Sequence, residues 1–223
     1  MNYIYGMKIE SIIFDMDGLL IDSEPLWQEA GAETLAQYNI QLTHEQYITT
    51  TGLRTPEWID YWFRFFNIQN ANPNEAIQRI EDAALQKILE RGSPMPGVYE
   101  VLDYYQQQSL KIAIASSSPS RMIKAVIDKL NISHYIQQFT SAETLPFGKP
   151  HPQVFIECAH TLQTPPQHCL VFEDSFNGMI AAKAAKMKCV VVPEPSSFDQ
   201  LRWHAADAKL KSLQDVKLST FNV

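Results

Sequence analysis

Apolar and polar positions along the chain fall into two regimes. Residues 9–14 form a short apolar run that stops at Asp15-Met16-Asp17-Gly18, the pattern of a buried strand ending in an acidic turn. From Leu26 to about Arg91 the period turns helical. Trp58, Tyr61, Trp62, Phe65 and Phe66 stand at i, i+3, i+4, i+7 and i+8, which predicts one packed aromatic helix face. A second helix is predicted over 74–91, after Pro73, and Gly92-Ser93-Pro94-Met95-Pro96-Gly97 reads as a linker. Beyond the linker the chain alternates. Helices are predicted over 98–108, 119–130, 152–162 and 176–186, and strands over 110–115, 139–142, 169–172 and 189–192.

Strands alternating with helices imply right-handed crossovers and a parallel sheet covered on both faces. The early strand most economically joins that sheet. The predicted fold class is therefore α/β: a Rossmann-like parallel-sheet core, residues 1–21 and 95–223, with a helical cap inserted over 22–94. A chain of 223 residues has room for one good core and a smaller second unit.

Composition narrows the function. Apolar residues make up 45% and charged residues 19%, which excludes a disordered chain. Eighteen Lys and Arg against 25 Asp and Glu leave a net charge of −7. That balance argues against nucleic acid or an anionic membrane surface as partner, but not against a small phosphorylated ligand. No run approaches the ~20 apolar residues of a membrane span, and the N-terminus lacks a signal-peptide pattern. Cys158, Cys169 and Cys189 have no metal-ligand spacing and read as buried, reduced thiols, so a cytoplasmic location is expected. The six histidines likewise read as structural or surface residues.

In open parallel sheets, ligands bind outside the carboxyl ends of the strands. The first strand ends in Asp15 and Asp17, and the second in Ser116-Ser117-Ser118-Pro119. The loop after the third carries Gly148-Lys149-Pro150, and the fourth ends in Glu173-Asp174-Ser175. Carboxylates gathered at one edge repel one another unless a hard cation such as Mg²⁺ takes them as oxygen ligands. Ser118-Pro119 reads as a helix cap with Pro at the first helical position, a seat for phosphate beside Ser116. Lys149 offers a point charge to phosphate oxygens. Neither GxGxxG nor Walker A is present.

The run Asp15-Met16-Asp17-Gly18-Leu19-Leu20-Ile21-Asp22-Ser23-Glu24 resembles the first motif of the haloacid dehalogenase-like superfamily. Ser116, Lys149-Pro150 and Glu173-Asp174 resemble its second, third and fourth. Leu26-Trp27, Gly52-Leu53-Arg54, Lys149-Pro150-His151-Pro152 and Ser175-Phe176-Asn177-Gly178 are similar to the β-phosphoglucomutase-like branch. Within it the likeness is to bacterial sugar-phosphate phosphatases acting on hexitol phosphates or 2-deoxyglucose 6-phosphate. One departure is Ala185-Lys186-Met187, where the superfamily usually has Ala-Gly-Met; a basic residue there fits the hexitol-phosphatase group but removes the glycine helix stop.

The resemblance implies an Mg²⁺-dependent phosphatase for a small sugar phosphate; a monomer is expected, although the residues themselves leave oligomeric state open. It implies that Asp15 attacks phosphorus to give an aspartyl-phosphate and that Asp17 serves as acid and base. Asp15, Asp174 and the backbone carbonyl of Asp17 would hold Mg²⁺, with Glu173 behind them or joining occasionally. Ser116, the Ser117 N–H and Lys149 would grip the phosphoryl group. Glu24 and Arg54 are expected to reach substrate from the hinge and the cap. A phosphosugar mutase is the alternative enzyme, and a catalytically silent binding protein the alternative class. Where the mutases carry a threonine and, four residues on, a histidine, this chain has Ser23 and Trp27; Trp27 is expected to pack the cap or wall off the sugar.

Overall fold

Tyr3–Ile4 (β1) and Met7–Lys8 (β2) form a small antiparallel pair in a sheet of its own. The computed structural model describes residues 3–4 and 7–217. The main sheet holds Ser11–Phe14 (β3), Lys111–Ser116 (β4), Gln138–Ser141 (β5), Cys169–Glu173 (β6), Lys188–Val191 (β7) and Ala208–Lys209 (β8). Their order is β5-β4-β3-β6-β7-β8 and every pairing is parallel. Side chains alternate between two cores. Ile12, Phe14, Ile112, Ile114, Leu170 and Phe172 share one core with Val98–Gln107 (α5) and Ser120–Lys129 (α6). Ile13, Ala113, Ala115 and Val171 share the other with Gln153–Thr161 (α7) and Phe176–Ala184 (α8). Burial on both faces explains why these strands read as unbroken apolar runs.

Between β3 and α5 the chain leaves the sheet for Glu24–Ala36 (α1), His44–Thr50 (α2), Thr55–Phe65 (α3) and Pro73–Arg91 (α4), here termed the cap. The outgoing and returning strands pair as they cross. Ile21 bridges Pro94, the Asp22 N–H donates to the Ser93 carbonyl at 2.8 Å, and the Met95 N–H to Leu20 at 3.1 Å. The aromatic stripe of α3 departs from expectation. Trp62 is buried and Trp58 and Phe66 partly so, whereas Tyr61 and Phe65 are 46% and 60% exposed. Ile59 and Phe63 take the inner face instead, and the stripe wraps around the helix beyond what α4 covers.

The three cysteines are free and buried. Burial pushes the Cys158 and Cys169 thiols up to about 12 and Cys189 well above the ordinary thiol range. No described helix is long and apolar enough to cross a membrane.

Six of the eight described α-helices, all but α2 and α4, end by one device without glycine. Asn39, Asn67, Ser109, Asn131, Gln163 and Lys186 lie in the left-handed region, with φ between 52° and 62°. At each, the following N–H returns to a carbonyl in the last helical turn, as Met187 does to Ala182 at 3.1 Å and Ile132 to Ile127 at 3.1 Å. The residue that follows then drops into the core, and Ile40, Leu110, Ile132 and Met187 are all buried. Lys186 thus adopts the conformation that glycine takes most easily. The left-handed strain of about 1–2 kcal/mol exceeds the ~0.5–1 kcal/mol of entropy that a glycine gives up on folding. Exposed Lys186 replaced as Lys186→Gly is therefore expected to stabilise the protein by about 0.5–1 kcal/mol, read as a higher urea midpoint with unchanged slope. A lower midpoint would show that the lysine side chain contributes more than its backbone strain costs.

Candidate active site

The sheet order reverses direction at β3, which lies between β4 and β6, so the turns after these three strands meet. Asp15 follows β3 directly, its N–H donating to the Phe172 carbonyl at 2.9 Å, and its side chain is buried. Lys149 arrives from the loop after β5 and is 1% exposed. Its ammonium donates to Asp15 Oδ1 at 2.5 Å, Glu173 Oε1 at 2.6 Å and the Ala115 carbonyl at 3.2 Å, one acceptor for each proton. Burial disfavours that charge, but Asp15 and Glu173 outweigh it and hold the Lys149 pKa above its ordinary value. Glu173 Oε2 accepts from the Ser175 N–H and hydroxyl at 3.0 and 2.9 Å. Both Glu173 oxygens are therefore engaged, and this carboxylate anchors Lys149 from behind.

Asp15, Glu173 and Asp174 each bring a carboxylate oxygen within 4.8 Å of the others, a cluster able to hold a metal ion. Burial pushes the Asp15 carboxyl up to about 7 against the pull of Lys149, and Glu173 and Asp17 add to the rise. Asp174 is raised well above the carboxylate range by burial and by Glu173 and Asp15. Half-buried Glu24 is pushed up to about 8 by desolvation and by Asp17 and Asp15. The donors are all hard oxygens with surplus negative charge, which suits Mg²⁺. Gly18, at φ 72°, gives Asp174 its room: a Cβ there would collide with Asp174 Oδ2.

Asp17 is held by three donors. Its Oδ1 accepts from Ser23 Oγ at 2.6 Å and from the Trp27 indole at 2.9 Å, and its Oδ2 accepts from Ser118 Oγ at 2.6 Å. Two of these roles were not anticipated. Ser118 was expected to cap α6, but Pro119 occupies the cap position and the Ser118 hydroxyl goes to the stronger, charged acceptor. Trp27 was expected only to pack or to form a wall. Its position four residues after Ser23, one turn along α1, is the signal that puts both donors on one side. Buried Ser116 accepts from the Ser118 N–H at 3.0 Å. The Ser117 hydroxyl donates across to the cap, to the Gly52 carbonyl at 2.7 Å.

A cavity joins core and cap. Asp15, Asp17, Asp174, Ser116 and Ser117 line it from the core, and Glu24, Trp27, Tyr47, Thr50 and Trp58 from the cap side. Lys149 and Glu173 stand behind Asp15. Arg54 is not brought to the cavity as expected. Its guanidinium is engaged with the Ala142 and Leu145 carbonyls, at 3.0 and 2.6 Å, and with Glu57 at 2.6 Å. Both terminal nitrogens of the fork are thus engaged, and Arg54 is not among the residues that line the cavity.

The sequence profile of the haloacid dehalogenase-like hydrolases matches residues 12–192, which span this whole arrangement. The chain belongs to that family. This hydrolase is similar to hexitol phosphatase B of Escherichia coli strain K12, at 38% identity over 210 residues, covering 94% of this chain and 95% of that one. It is also similar to the fructose-1-phosphate phosphatase YqaB of the same organism, at 30% identity over 186 residues, covering 83% and 97%. In fold it is similar to a β-phosphoglucomutase from Clostridium difficile, with a TM-score of 0.82 and 23% identity over 93% of each chain.

Removing the ammonium from this hydrolase leaves Asp15 and Glu173 buried without their shared partner. Lys149→Ala is therefore expected to cost about 3–5 kcal/mol of stability, measured by chemical denaturation at neutral pH in the presence of a chelator. A loss below about 1 kcal/mol would mean that the two carboxylates find other partners.

Proposed function

We propose that this hydrolase releases phosphate from the monophosphate ester of a neutral sugar or sugar alcohol, by way of an aspartyl-phosphate on Asp15 and with Mg²⁺. The observation that carries the reading is the make-up of the cavity wall. Among the described residues that line it, none is Lys, Arg or His, while the cap side offers the Glu24 carboxyl, the Tyr47 and Thr50 hydroxyls and the rings of Trp27 and Trp58. Carboxyl and hydroxyl groups suit the hydroxyls of a polyol, and aromatic faces suit its C–H surfaces. A second phosphate would bring about two further negative charges with no cation to meet them. The names of the two phosphatase relatives support the same class of substrate.

In the proposed reaction an Asp15 oxygen attacks phosphorus as the bond to the sugar oxygen breaks, and Asp17 gives that oxygen its proton. Water then attacks phosphorus, Asp17 takes its proton, and the Asp15 carboxylate is freed. Ser116 and the Ser117 N–H hold the phosphoryl oxygens, while Lys149, which does not line the cavity as expected of a phosphate contact, holds the Asp15 carboxylate from behind. Asp15, Asp174 and the Asp17 carbonyl would hold Mg²⁺, which supplies positive charge against those oxygens. The hydroxyls of Ser23 and Ser118 can rotate from donor to acceptor, but the Trp27 indole only donates. Asp17 Oδ1 therefore stays an acceptor, and the transferable proton belongs on Oδ2. The reading takes residues 1–21 and 95–223 as the catalytic core and 22–94 as a cap. It takes the enzyme as a cytoplasmic monomer, in keeping with three buried free thiols.

The test is phosphate release from a panel of hexose, hexitol and pentose monophosphates. Activity is expected to require Mg²⁺, to vanish with chelator and in Asp15→Asn, and to be weaker on bisphosphates than on monophosphates. With β-glucose 1-phosphate and a trace of its bisphosphate, faster formation of glucose 6-phosphate than of free phosphate would establish a mutase instead.

Trp27→Phe keeps the ring and deletes the donor. It is expected to lower kcat on sugar phosphates about tenfold, a fraction of the usual worth of a placed acid–base group. Aryl phosphates, whose leaving groups need little protonation, should lose less. An equal loss on both would assign Trp27 to packing.

A further inference from the structure

One of the contacts between cap and core that the proposed chemistry leaves unused fixes a loop of the active site. Arg54 and Glu57, at the start of α3, grip the backbone of the loop that leads from β5 to Lys149. The Arg54 Nη1 donates to the Ala142 and Leu145 carbonyls, and Nη2 to Glu57 Oε1. The same Glu57 oxygen accepts from the Gly148 N–H at 3.1 Å, and Oε2 accepts from the Arg54 N–H at 3.2 Å. Three backbone points of the loop are thus fixed by two cap side chains, and the next residue after the last of them is Lys149.

We propose that Arg54 and Glu57 are positioning residues, a clasp that makes docking of the cap and placement of Lys149 beside Asp15 a single event. Three further observations support this assignment. Leu53 and Thr55 line the cavity but Arg54 between them does not, so its donors face the loop. Arg54 Nε is buried without a partner, a penalty accepted by a side chain fitted to its other contacts. Gly148 is the third. Its φ is not in the left-handed region, yet a Cβ there would lie 2.5 Å from Glu57 Oε2, 2.7 Å from Arg54 Nε and 2.9 Å from Arg54 Cγ. The clasp occupies the space where a side chain would be.

The kinetic arm of the test rests on the phosphatase reading, and the exchange arm does not. Arg54→Ala, Glu57→Ala and Gly148→Ala are prepared in the full chain. Gly148→Ala meets only side-chain atoms of the clasp, so it opens the device without touching the core. Amide hydrogen exchange at Gly148 and its loop is expected to speed up about tenfold or more in all three. On the preferred sugar phosphate, kcat is expected to fall about ten- to a hundredfold with KM nearly unchanged, as misplacement of a catalytic group by a fraction of an ångström does. The double variant Arg54→Ala/Glu57→Ala should be no slower than the worse single one, because both remove the same device. Arg54→Ala that raises KM while keeping kcat, with Gly148→Ala behaving as the parent, would overturn the clasp and make Arg54 a substrate ligand. Unchanged exchange in Arg54→Ala and Glu57→Ala would overturn it as well. Faster exchange in a protein that releases phosphate from no ester would overturn the phosphatase reading and leave the clasp standing.

Discussion

Lys149 brings an ammonium group to a place almost without water, and a charge so buried is tolerated only where partners surround it. Asp15, Glu173 and the Ala115 carbonyl are those partners, and each comes from the carboxyl end of a different central strand. The sheet order is what brings them within reach, and the loop after β5 must deliver the lysine from the edge. The pairing is unequal. Asp15, Glu173 and Asp174 around one ammonium leave two negative charges in excess, which is why burial and mutual repulsion raise Asp15 and Asp174 together. The edge of the sheet is therefore a place of crowded negative charge, chemically suited to take a cation.

The gathering of these groups at one sheet edge was legible in the sequence, whereas Lys149 was read as a phosphate contact and not as the partner of Asp15 and Glu173. Asp15, Ser116 and Asp174 are each a polar residue at the end of an apolar run, and parallel topology gathers such ends without further information. Lys149 stood out through its neighbours Gly148 and Pro150. What was not legible depends on how two distant surfaces meet. The period of Trp58, Tyr61, Trp62, Phe65 and Phe66 shows that aromatics recur, but not that α4 covers only part of them, leaving Tyr61 and Phe65 outside. Arg54 looked like a substrate contact because nothing local shows that carbonyls 88 and 91 residues away would claim its donors. The six left-handed helix ends carry no glycine, so the usual stop signal was absent. β8, two residues long, has no period to detect.

Asp17 shows the same division at the scale of one side chain. Ser23, Trp27 and Ser118 reach it from the hinge, from α1 and from the turn after β4, so its orientation depends on cap and core together. A cap displaced by a small rotation would withdraw two of the three donors and leave the Ser118 contact alone.

Ser117 carries a consequence for turnover. Its hydroxyl fastens the cap through Gly52 while, in the proposed reaction, its N–H holds the phosphoryl group. Linkage is reciprocal: whatever factor bound phosphate adds to closure, closure adds to the hold on phosphate. Free phosphate is also the last species in the site. In the proposed reaction the contact that shelters the phosphoenzyme would also retain the product, so inorganic phosphate would inhibit by favouring the shut form and its escape would belong to the slow part of the cycle.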